Sequence, residues 1–273
     1  METPKVREVP CKSMLSPCGL PEFAYSVNPY TGCSHGCAYC YARFMGKYSH
    51  PKETWGSFVD VKTNSPEALT KDLGKNKPGR IFFSSVTDCY QPLEGKYMLA
   101  PKILQAIKDY SYPVSILTKS SLVQRDIKLI AGIKSCDLGM TICFLDDKDR
   151  KAFEPRASPI QERLDTLRKF SYAGVKTYAF FGPILPGISD RNLPELFRKF
   201  AETGVPEVIV DRLNIKCGNL EPILAVVKGH YPELLGRYHE LFVQGKDREY
   251  YRKLKPEVDR IAKENGLAVD WCF

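Results

Sequence analysis

Three cysteines, Cys33, Cys37 and Cys40, lie on one short stretch of the chain with the spacing C-x₃-C-x₂-C. Closely spaced cysteine thiolates are the usual ligands of an iron–sulfur cluster. Three thiolates hold three irons of a [4Fe–4S] cluster and leave the fourth iron open, just as a catalytic zinc keeps one position open. Gly32 and Gly36 allow the loop to bend tightly around such a cluster. The spacing therefore predicts a [4Fe–4S] cluster with one iron free to bind a cofactor.

Two alternatives to this cluster stay open. A structural zinc site, in a zinc-binding interaction domain, needs four ligands. His35 would be the fourth, but it lies between two of the cysteines, where simultaneous ligation is cramped. A non-enzymatic electron-transfer protein binds its cluster through four protein ligands, one more than this loop supplies. A second cluster would need the fold to gather Cys11, Cys18, Cys217 and Cys272, whose spacing matches no common cluster pattern.

The composition indicates the cellular compartment and the kind of partner expected for this chemistry. The chain has 273 residues and ten cysteines, and its first residues lack the apolar segment of a secretory signal. Clustered cysteines in such a chain indicate metal binding or catalysis in the reducing cytoplasm, where we expect the protein. No run of about 18 apolar residues occurs, so no membrane-spanning helix is expected. The net charge of +8 favours an anionic partner, with nucleic acid as one candidate.

The segments around the cysteine loop alternate between strand and helix. Short apolar runs predict buried parallel strands, and segments with apolar residues on one face predict helices. Ser158 is expected to cap a helix that stops at Gly174. We predict strands at 81–85, 114–118, 138–145, 175–181 and 208–210, and helices at 99–110, 125–133, 158–172 and 193–202.

Repeated strand–helix units imply parallel strands joined by right-handed crossovers. About six units occur, with the first strand either near residues 58–62 or just before the cysteines. The predicted fold class is α/β, a partial (β/α)6 TIM-like barrel with a mainly helical C-terminal extension. We expect one domain, with a lead-in over 1–24, the barrel over 25–215 and the extension, packed on the barrel, over 216–273. Chemistry in such barrels lies at the C-terminal ends of the strands.

The sequence SVNPYTGCSHGCAYCYAR, over residues 26–43, resembles the radical S-adenosylmethionine (SAM) superfamily. Within it, the chain is similar to the spore photoproduct lyase-like, or "DNA repair photolyase", group. Further similar segments are WGSFVDVK at 55–62, SVTDCYQP at 85–92, LTKS at 117–120, FEPR at 153–156 and GPILPG at 182–187.

The resemblance implies an enzyme whose [4Fe–4S] cluster binds SAM at the open iron and cleaves it reductively. The resulting 5′-deoxyadenosyl radical abstracts hydrogen from a substrate, which the sequence leaves unidentified and which includes nucleic acid among its candidates. The resemblance also implies a one-electron reductant of ferredoxin or flavodoxin type as a partner.

The resemblance further assigns residues at predicted strand ends to SAM. Ser84, Ser85 and Thr87 end the strand that contacts the methionine amino group in relatives, and Lys119 would pair with the carboxylate. The other implied cofactor contacts are Thr141 at the ribose, Ile184 along the adenine, Tyr39 or Tyr41 at the adenine edge, and Arg156, Arg212 and Asn214 at loop and strand ends. Without the resemblance these residues would be read as turn, cap or solvated residues.

Two residues are candidates for acting on the substrate. Asp88 would accept a hydrogen bond or a proton, and Cys89 would return a hydrogen atom to a product radical. A small buried thiol is the alternative for Cys89. Authentic spore photoproduct lyases carry a hydrogen-donating cysteine in this strand-end loop, where Val86 is the nearest residue here. This departure argues against repair of thymine dimers.

Overall fold

The computed structural model describes residues 3–47 and 49–273. The strands are β1 Lys5–Val9, β2 Ser16–Pro17, β3 Tyr25–Val27, β4 Tyr30–Thr31, β5 Phe58–Lys62, β6 Ile81–Phe83, β7 Val114–Thr118, β8 Cys136–Thr141, β9 Lys176–Ile184, β10 Glu207–Arg212 and β11 Ala268–Trp271. The α-helices are α1 Ser65–Leu73, α2 Glu94–Tyr97, α3 Leu99–Asp109, α4 Ile127–Ala131, α5 Asp147–Phe153, α6 Ile160–Tyr172, α7 Leu193–Ala201, α8 Leu220–His230, α9 Leu235–Phe242 and α10 Asp247–Glu264. Three 3₁₀ helices span Tyr41–Gly46, Ser121–Asp126 and Pro232–Leu234 in this part of the chain.

The main sheet has the strand order β11-β10-β9-β8-β7-β6-β3-β2. Every neighbouring pair from β3 to β11 is parallel, and only β2 is antiparallel to its neighbour. Six parallel strands, β3 and β6 to β10, are thus linked by helical crossovers, and β11 extends the sheet beside β10. This arrangement confirms the predicted partial α/β barrel.

The position of the first barrel strand was left open by the sequence, and the structure decides it. β3, just before the cysteines, pairs in parallel with β6, in the register Tyr25 to Ile81. β5, over residues 58–62, instead joins a separate three-stranded sheet between β1 and β4. Because β3 is only three residues long, its apolar pattern is too short to stand out.

Two helix boundaries differ from the predictions. The segment predicted as one helix over 125–133 divides into the 3₁₀ helix Ser121–Asp126 and the short α4. Helix α6 begins at Ile160 with Pro159 as its N-cap, one residue later than expected. Ser158 does not cap this helix, because its Oγ accepts a hydrogen bond from the Ser121 N–H at 2.9 Å.

The barrel interior is closed by a contact that spans three strands. Tyr178 of β9 reaches across β8 to Ser115 of β7, with 3.3 Å between the two hydroxyl oxygens. Gly139 of β8 makes this reach possible, because a Cβ there would lie 2.3 Å from the Tyr178 ring. On the opposite face of β9, the Phe181 ring packs against Phe197 of α7 at 5.9 Å. The two faces of β9 thus have different partners, β7 on one side and α7 on the other.

The C-terminal extension contains α8, α9 and α10, as expected, and also β11, which was not predicted. β11 pairs in parallel with β10, in the register Val208 to Val269. The Tyr251 hydroxyl of α10 donates to the Ile184 carbonyl at 2.9 Å and accepts from the Leu213 N–H at 3.2 Å. The extension therefore contacts the C-terminal ends of β9 and β10 directly. No helix within residues 3–47 and 49–273 has the length and apolar character needed to cross a membrane.

Candidate functional site

The cysteine loop follows β4 and is shaped by two close backbone approaches. Gly32 has a φ of +87°, and a Cβ there would lie 2.5 Å from the Phe58 carbonyl oxygen. Gly56, at φ +93°, packs its backbone on Gly36, since an added Cβ would lie 2.7 Å from the Gly36 Cα. Glycine is the residue that tolerates both the left-handed φ and such a contact. The turn containing Gly56 therefore packs directly against the backbone of the cysteine loop.

Thr87 and Gln91, in the loop after β6, hold the cysteine loop from a second side. Thr87 Oγ1 donates to the Gly32 carbonyl at 2.7 Å, and Gln91 Oε1 accepts from the Ser34 N–H at 2.8 Å. Gln91 Nε2 lies 3.2 Å from Thr87 Oγ1. Thr87, predicted as a cofactor contact, is thus placed beside the cysteines with its hydroxyl bonded to their loop.

Arg156 binds the cysteine loop and the supporting turn together. Its Nη1 donates to the carbonyls of Ser34 and Gly56, both at 2.7 Å. Its backbone N–H also reaches the His35 carbonyl at 3.4 Å. One guanidinium that satisfies two separate segments fixes their relative position. Arg156 therefore lies at the predicted site, where its observed contacts are with the loop backbone.

The three thiols of this loop differ in burial. Cys33 and Cys37 are buried and Cys40 is half-buried. Burial raises the pKa of the Cys40 thiol to about 11 and that of Cys37 well above its usual value. Within residues 3–47 and 49–273, no group of three His, Cys, Asp or Glu side chains is arranged to hold one metal ion. Ligation of separate irons of one cluster stays a prediction, which the donor chemistry of three thiols supports.

Asp88 links the cysteine loop to the end of β7. Its Oδ1 accepts from Thr118 Oγ1 at 2.7 Å, and its Oδ2 accepts from the Lys119 N–H at 2.9 Å and lies 3.4 Å from His35 Nδ1. Burial alone would raise the pKa of Asp88, but His35 and these hydrogen bonds lower it well below its usual value. Burial alone would lower the pKa of His35, whereas Cys33 and Asp88 raise it to about 9.

Lys119 places a cation between the cysteine loop and a buried ion pair. Its Nζ lies 5.8 Å from the centre of the Tyr39 ring. The Tyr39 hydroxyl donates to Glu154, which forms a fully buried ion pair with Arg163. Burial alone would lower the pKa of Lys119, but Cys37 and Glu154 raise it. Within the described residues, the Lys119 ammonium has no hydrogen-bond or ion-pair partner.

The end of β6 carries a strained serine. Ser84 has a φ of 81°, a left-handed conformation that is unfavourable for a residue with a Cβ. Its N–H donates to the Val27 carbonyl at 2.9 Å. The next residue, Ser85, accepts from Asn28 Nδ2 at 3.1 Å through its Oγ, and its carbonyl accepts from the Tyr41 hydroxyl. Ser85 and Tyr41 thus join the strand end to the 3₁₀ helix after the cysteines.

Cys89 is completely buried, and burial raises its pKa well above the usual value of a thiol. The hydroxyl of Ser84 lies near it, buried and without a hydrogen-bond partner among the described residues. The environment of Cys89 matches the small-buried-thiol alternative. Transfer of a hydrogen atom from Cys89 to a substrate stays a prediction.

The remaining predicted cofactor residues lie at the ends of β8, β9 and β10. Thr141 and Ile184 are buried, and the Thr141 carbonyl accepts from Arg163 Nη1 at 2.8 Å. Arg212 lies 3.9 Å from Asp247 of α10, with its guanidinium 5.5 Å above the Phe273 ring. Asn214 Nδ2 is within 3.4 Å of the Arg212 carbonyl. Parallel register brings these strand ends to the edge of the barrel that carries the cysteine loop.

Sequence reasoning did not select four residues at this edge. Gln91 and Glu154 lie inside the segments 85–92 and 153–156 that carry the family resemblance. They were not selected, because the residue type alone does not reveal which group a side chain contacts. Asn219 Nδ2 donates to the carbonyls of Tyr39 and of Asn214, at 2.9 and 3.0 Å. The fourth is Asp211 of β10, which lies next to the Arg212 that was chosen, and burial raises its pKa to about 6.

The other cysteines are not gathered into a group of three with metal-binding geometry anywhere in residues 3–47 and 49–273. Cys11 Sγ instead lies 3.4 Å from Asn64 Oδ1. Cys217 and Cys272 are exposed, and Cys18 is half-buried. All ten cysteines are free thiols.

Comparison with known proteins defines the family. The profile described as the Radical SAM superfamily matches residues 27–200. A protein of Methanocaldococcus jannaschii, described as uncharacterised, is 40% identical over 189 residues, covering 68% of this chain and 70% of its own length. The chain belongs to the radical SAM superfamily, which confirms the resemblance seen in its sequence.

Two further matches are more distant in sequence. A protein of Pseudomonas phage M6, named radical SAM Nalpha-GlyT isomerase, is 26% identical over 192 residues, covering 68% of this chain and 39% of its own length. A spore photoproduct lyase variant, solved with bound AdoMet and dinucleoside spore photoproduct, superposes with a TM-score of 0.67. That match covers 97% of this chain and 80% of the lyase at 18% identity, so it establishes the fold.

Proposed function

We propose that this protein binds a [4Fe–4S] cluster through Cys33, Cys37 and Cys40 and cleaves SAM reductively. The observation that carries the proposal is the Lys119 ammonium, which lies 5.8 Å from the ring of Tyr39 in the cysteine loop and has no hydrogen-bond or ion-pair partner among the described residues. The three cysteines would hold the cluster, which would supply the one electron that splits a carbon–sulfur bond of SAM into methionine and a 5′-deoxyadenosyl radical, and this radical would take a hydrogen atom from the substrate.

The residues at the strand ends fit a methionine moiety. Lys119 would pair with its carboxylate through a charge-assisted hydrogen bond, which is stronger than a neutral one. The buried Ser84 hydroxyl, which lacks a partner in the described chain, would accept from its amino group. Held in this way, amino and carboxylate groups would be directed at the iron that the three thiolates leave open.

Deeper in the barrel, buried side chains would keep water away from the reacting atoms. Ile184 is fully buried and Thr141 nearly so, and both end neighbouring strands. We propose that Ile184 lies along the adenine and that Thr141 hydrogen-bonds the ribose. Tyr39 is held by Glu154, so its ring keeps a fixed orientation towards Lys119. A dry, rigid pocket limits side reactions of a radical.

We further propose nucleic acid as the first substrate class to test. The net charge of +8 supports this choice, as does the dinucleoside spore photoproduct bound to the lyase of similar fold. An isomerase or a lyase reaction is the proposed type, after the names of the two related proteins. The ten free thiols support the cytoplasm as the compartment. Oligonucleotide affinity that falls steeply with salt would support this substrate class.

The proposal is tested by reconstituting the cluster anaerobically and recording the electron paramagnetic resonance spectrum of the reduced protein. About four irons and four sulfides per chain are expected, and added SAM should change the spectrum by binding the open iron. Lys119→Met should keep the iron content and weaken the SAM response, since the carboxylate loses its cation. The exposed Lys102→Met is the matched control. A wild-type spectrum that does not change when SAM is added would contradict the proposal.

A further inference from the structure

The 3₁₀ helix Tyr41–Gly46, directly after the third cysteine, brings the surface of the molecule next to the cysteine loop. Its Arg43 is half-buried, and Nη2 donates to the carbonyls of Cys37 and Ala38 at 3.3 and 2.9 Å. On the same short helix, Tyr41 and Phe44 expose 40% and 43% of their surfaces. This short helix therefore contacts the cysteine loop on one side and solvent on the other.

A surface cavity of about 360 Å³ lies beside this helix. Arg43, Lys47, Trp55 and Cys217 are among its lining residues. The Nε of Arg43 is buried and has no hydrogen-bond partner among the described residues. The cavity is thus bounded by cations and an aromatic ring, and one of those cations is bonded to the backbone of Cys37.

The charge of this region is positive. Lys52 and Lys216 are exposed and are chain neighbours of residues that line the cavity, and the Lys216 ammonium lies 4.6 Å above the Tyr41 ring. Glu53, the acidic residue of the cavity wall, is already 3.6 Å from the Lys5 ammonium. We call the surface formed by Tyr41, Arg43, Phe44, Lys47, Lys52 and Lys216 the cluster-side face.

We propose that the cluster-side face is the docking surface for an acidic one-electron carrier protein of ferredoxin or flavodoxin type. The inference rests on the proposed function. On its other side the cysteine loop carries Tyr39, which is buried and whose ring lies 5.8 Å from the Lys119 ammonium, so a protein cannot reach the loop from there. The exposed face is therefore the side from which a carrier can approach the cluster. The reduced carrier loses one electron, the oxidised cluster gains it, and no proton or group is transferred.

The chemistry of the face suits such a partner. Complementary charge speeds encounter between proteins and weakens as salt screens it. Electron-transfer complexes are small and short-lived, so a few cations around exposed aromatic rings suffice. Tyr41 and Phe44 would form the apolar centre of the contact, and Lys52 and Lys216 its charged rim.

The test uses the reconstituted full chain and two reductants. Lys52→Glu with Lys216→Glu reverses the rim, and Lys75→Glu with Lys102→Glu is the control, with the same charge change at exposed positions on and near α1 and α3. The rate of cluster reduction is followed by absorbance with reduced bacterial flavodoxin at low salt, and separately with dithionite. We expect the rim variant to react about tenfold more slowly with flavodoxin, since charge steering is lost, and normally with dithionite.

The outcomes separate the docking surface from the function on which it depends. The proposed docking surface would be wrong if the rate at which flavodoxin reduces the wild-type cluster did not depend on salt. It would also be wrong if the control variant were slowed as much as the rim variant. A rim variant that is equally slow with dithionite would also overturn it, because a small reductant needs no docking. A wild type that neither loads a cluster nor accepts electrons from dithionite would overturn the proposed function itself.

Discussion

At the scale of single residues, Asp88 and Asp211 differ in how many hydrogen bonds the protein makes to their carboxylate oxygens. Asp88 accepts from the Thr118 hydroxyl and the Lys119 N–H and faces His35, so both of its oxygens have protein partners. Such a carboxylate positions β7 against the cysteine loop. The side chain of Asp211 lies 3.5 Å from Asn214 Nδ2, a weak contact. Asp211 is the carboxylate with more capacity left for a ligand.

Asp211→Asn should stabilise the metal-free protein above neutral pH. Burial raises the pKa of Asp211 to about 6, above that of an unfolded aspartate. Below pH of about 4 both states hold the proton, between about 4 and 6 only the folded state does, and above that both are ionised. Ionised Asp211 therefore costs folding free energy, and the cost is fully present at pH 8. We expect the variant to gain about 1 to 2 kcal/mol at pH 8 and little at pH 4.

The measurement is urea unfolding of both proteins at pH 4 and pH 8. Asp109→Asn, at an exposed position, is the matched control and should change stability by less than about 0.5 kcal/mol at either pH. A gain for Asp211→Asn that is the same at both pH values would contradict the assigned ionisation.

Residue types showed where the site lies but not what each side chain touches. Thr87 and Arg156 were predicted to contact the cofactor, and in the structure they bond to backbone carbonyls of the cysteine loop. These contacts join residues 55 and 122 positions apart in the chain, so no local pattern encodes them. Lys119 was predicted from a motif, and its ammonium lies 5.8 Å from the ring of Tyr39, which stands between Cys37 and Cys40 in the chain. Its contact with SAM stays a prediction.

At the scale of elements, the cysteine loop and the turn around Gly56 depend on a glycine-to-glycine contact. Gly56→Ala would place a Cβ 2.7 Å from the Gly36 Cα. Gly174→Ala has a similarly positive φ, +76°, but nothing within 4 Å. We expect the control to lose about 1 kcal/mol from its backbone conformation alone. Gly56→Ala should lose about 3 kcal/mol or more, because backbone atoms must also move.

Unfolding free energies and iron content after reconstitution check this prediction. Gly56→Ala should also retain less iron than Gly174→Ala, since the loop that supplies the thiolates is displaced. Equal losses of stability and equal iron content in the two variants would show that the close approach does not matter.

Most barrel elements could be predicted because their apolar pattern is strong. Helix α3 buries Leu99, Ile103, Leu104 and Ile107 on one face, as its spacing indicates. β3 and β11 were harder to predict, because they have only three and four residues and form by pairing with a neighbouring strand. β5 has a clear strand pattern, yet the pattern carries no information on which sheet it joins.

At the scale of the whole molecule, we expect the lead-in, the barrel and the C-terminal extension to unfold together. The Tyr251 hydroxyl of α10 bonds to Ile184 of β9 and to Leu213 after β10. Tyr251→Phe leaves a buried carbonyl and a buried N–H without this partner, so we expect a loss of about 2 kcal/mol. Tyr172→Phe, at a residue that is 85% exposed, should change stability by less than about 0.5 kcal/mol.

Thermal or urea unfolding followed by two probes checks both parts of this expectation. Tryptophan fluorescence reports on Trp55, near the cysteine loop, and on Trp271 in β11. Far-ultraviolet circular dichroism reports on the helices. Coincident transitions are expected for a single domain. Two separate transitions, or a Tyr251→Phe variant as stable as the wild type, would show that the extension folds independently.

The central claim is that this chain cleaves SAM with a cluster held by Cys33, Cys37 and Cys40. The most direct measurement is 5′-deoxyadenosine formed after anaerobic reconstitution with iron and sulfide and incubation with SAM and dithionite. The wild type should form 5′-deoxyadenosine, and a variant with all three cysteines changed to alanine should form none. A wild type that cannot be loaded with a cluster, or an alanine variant that is equally active, would contradict the account.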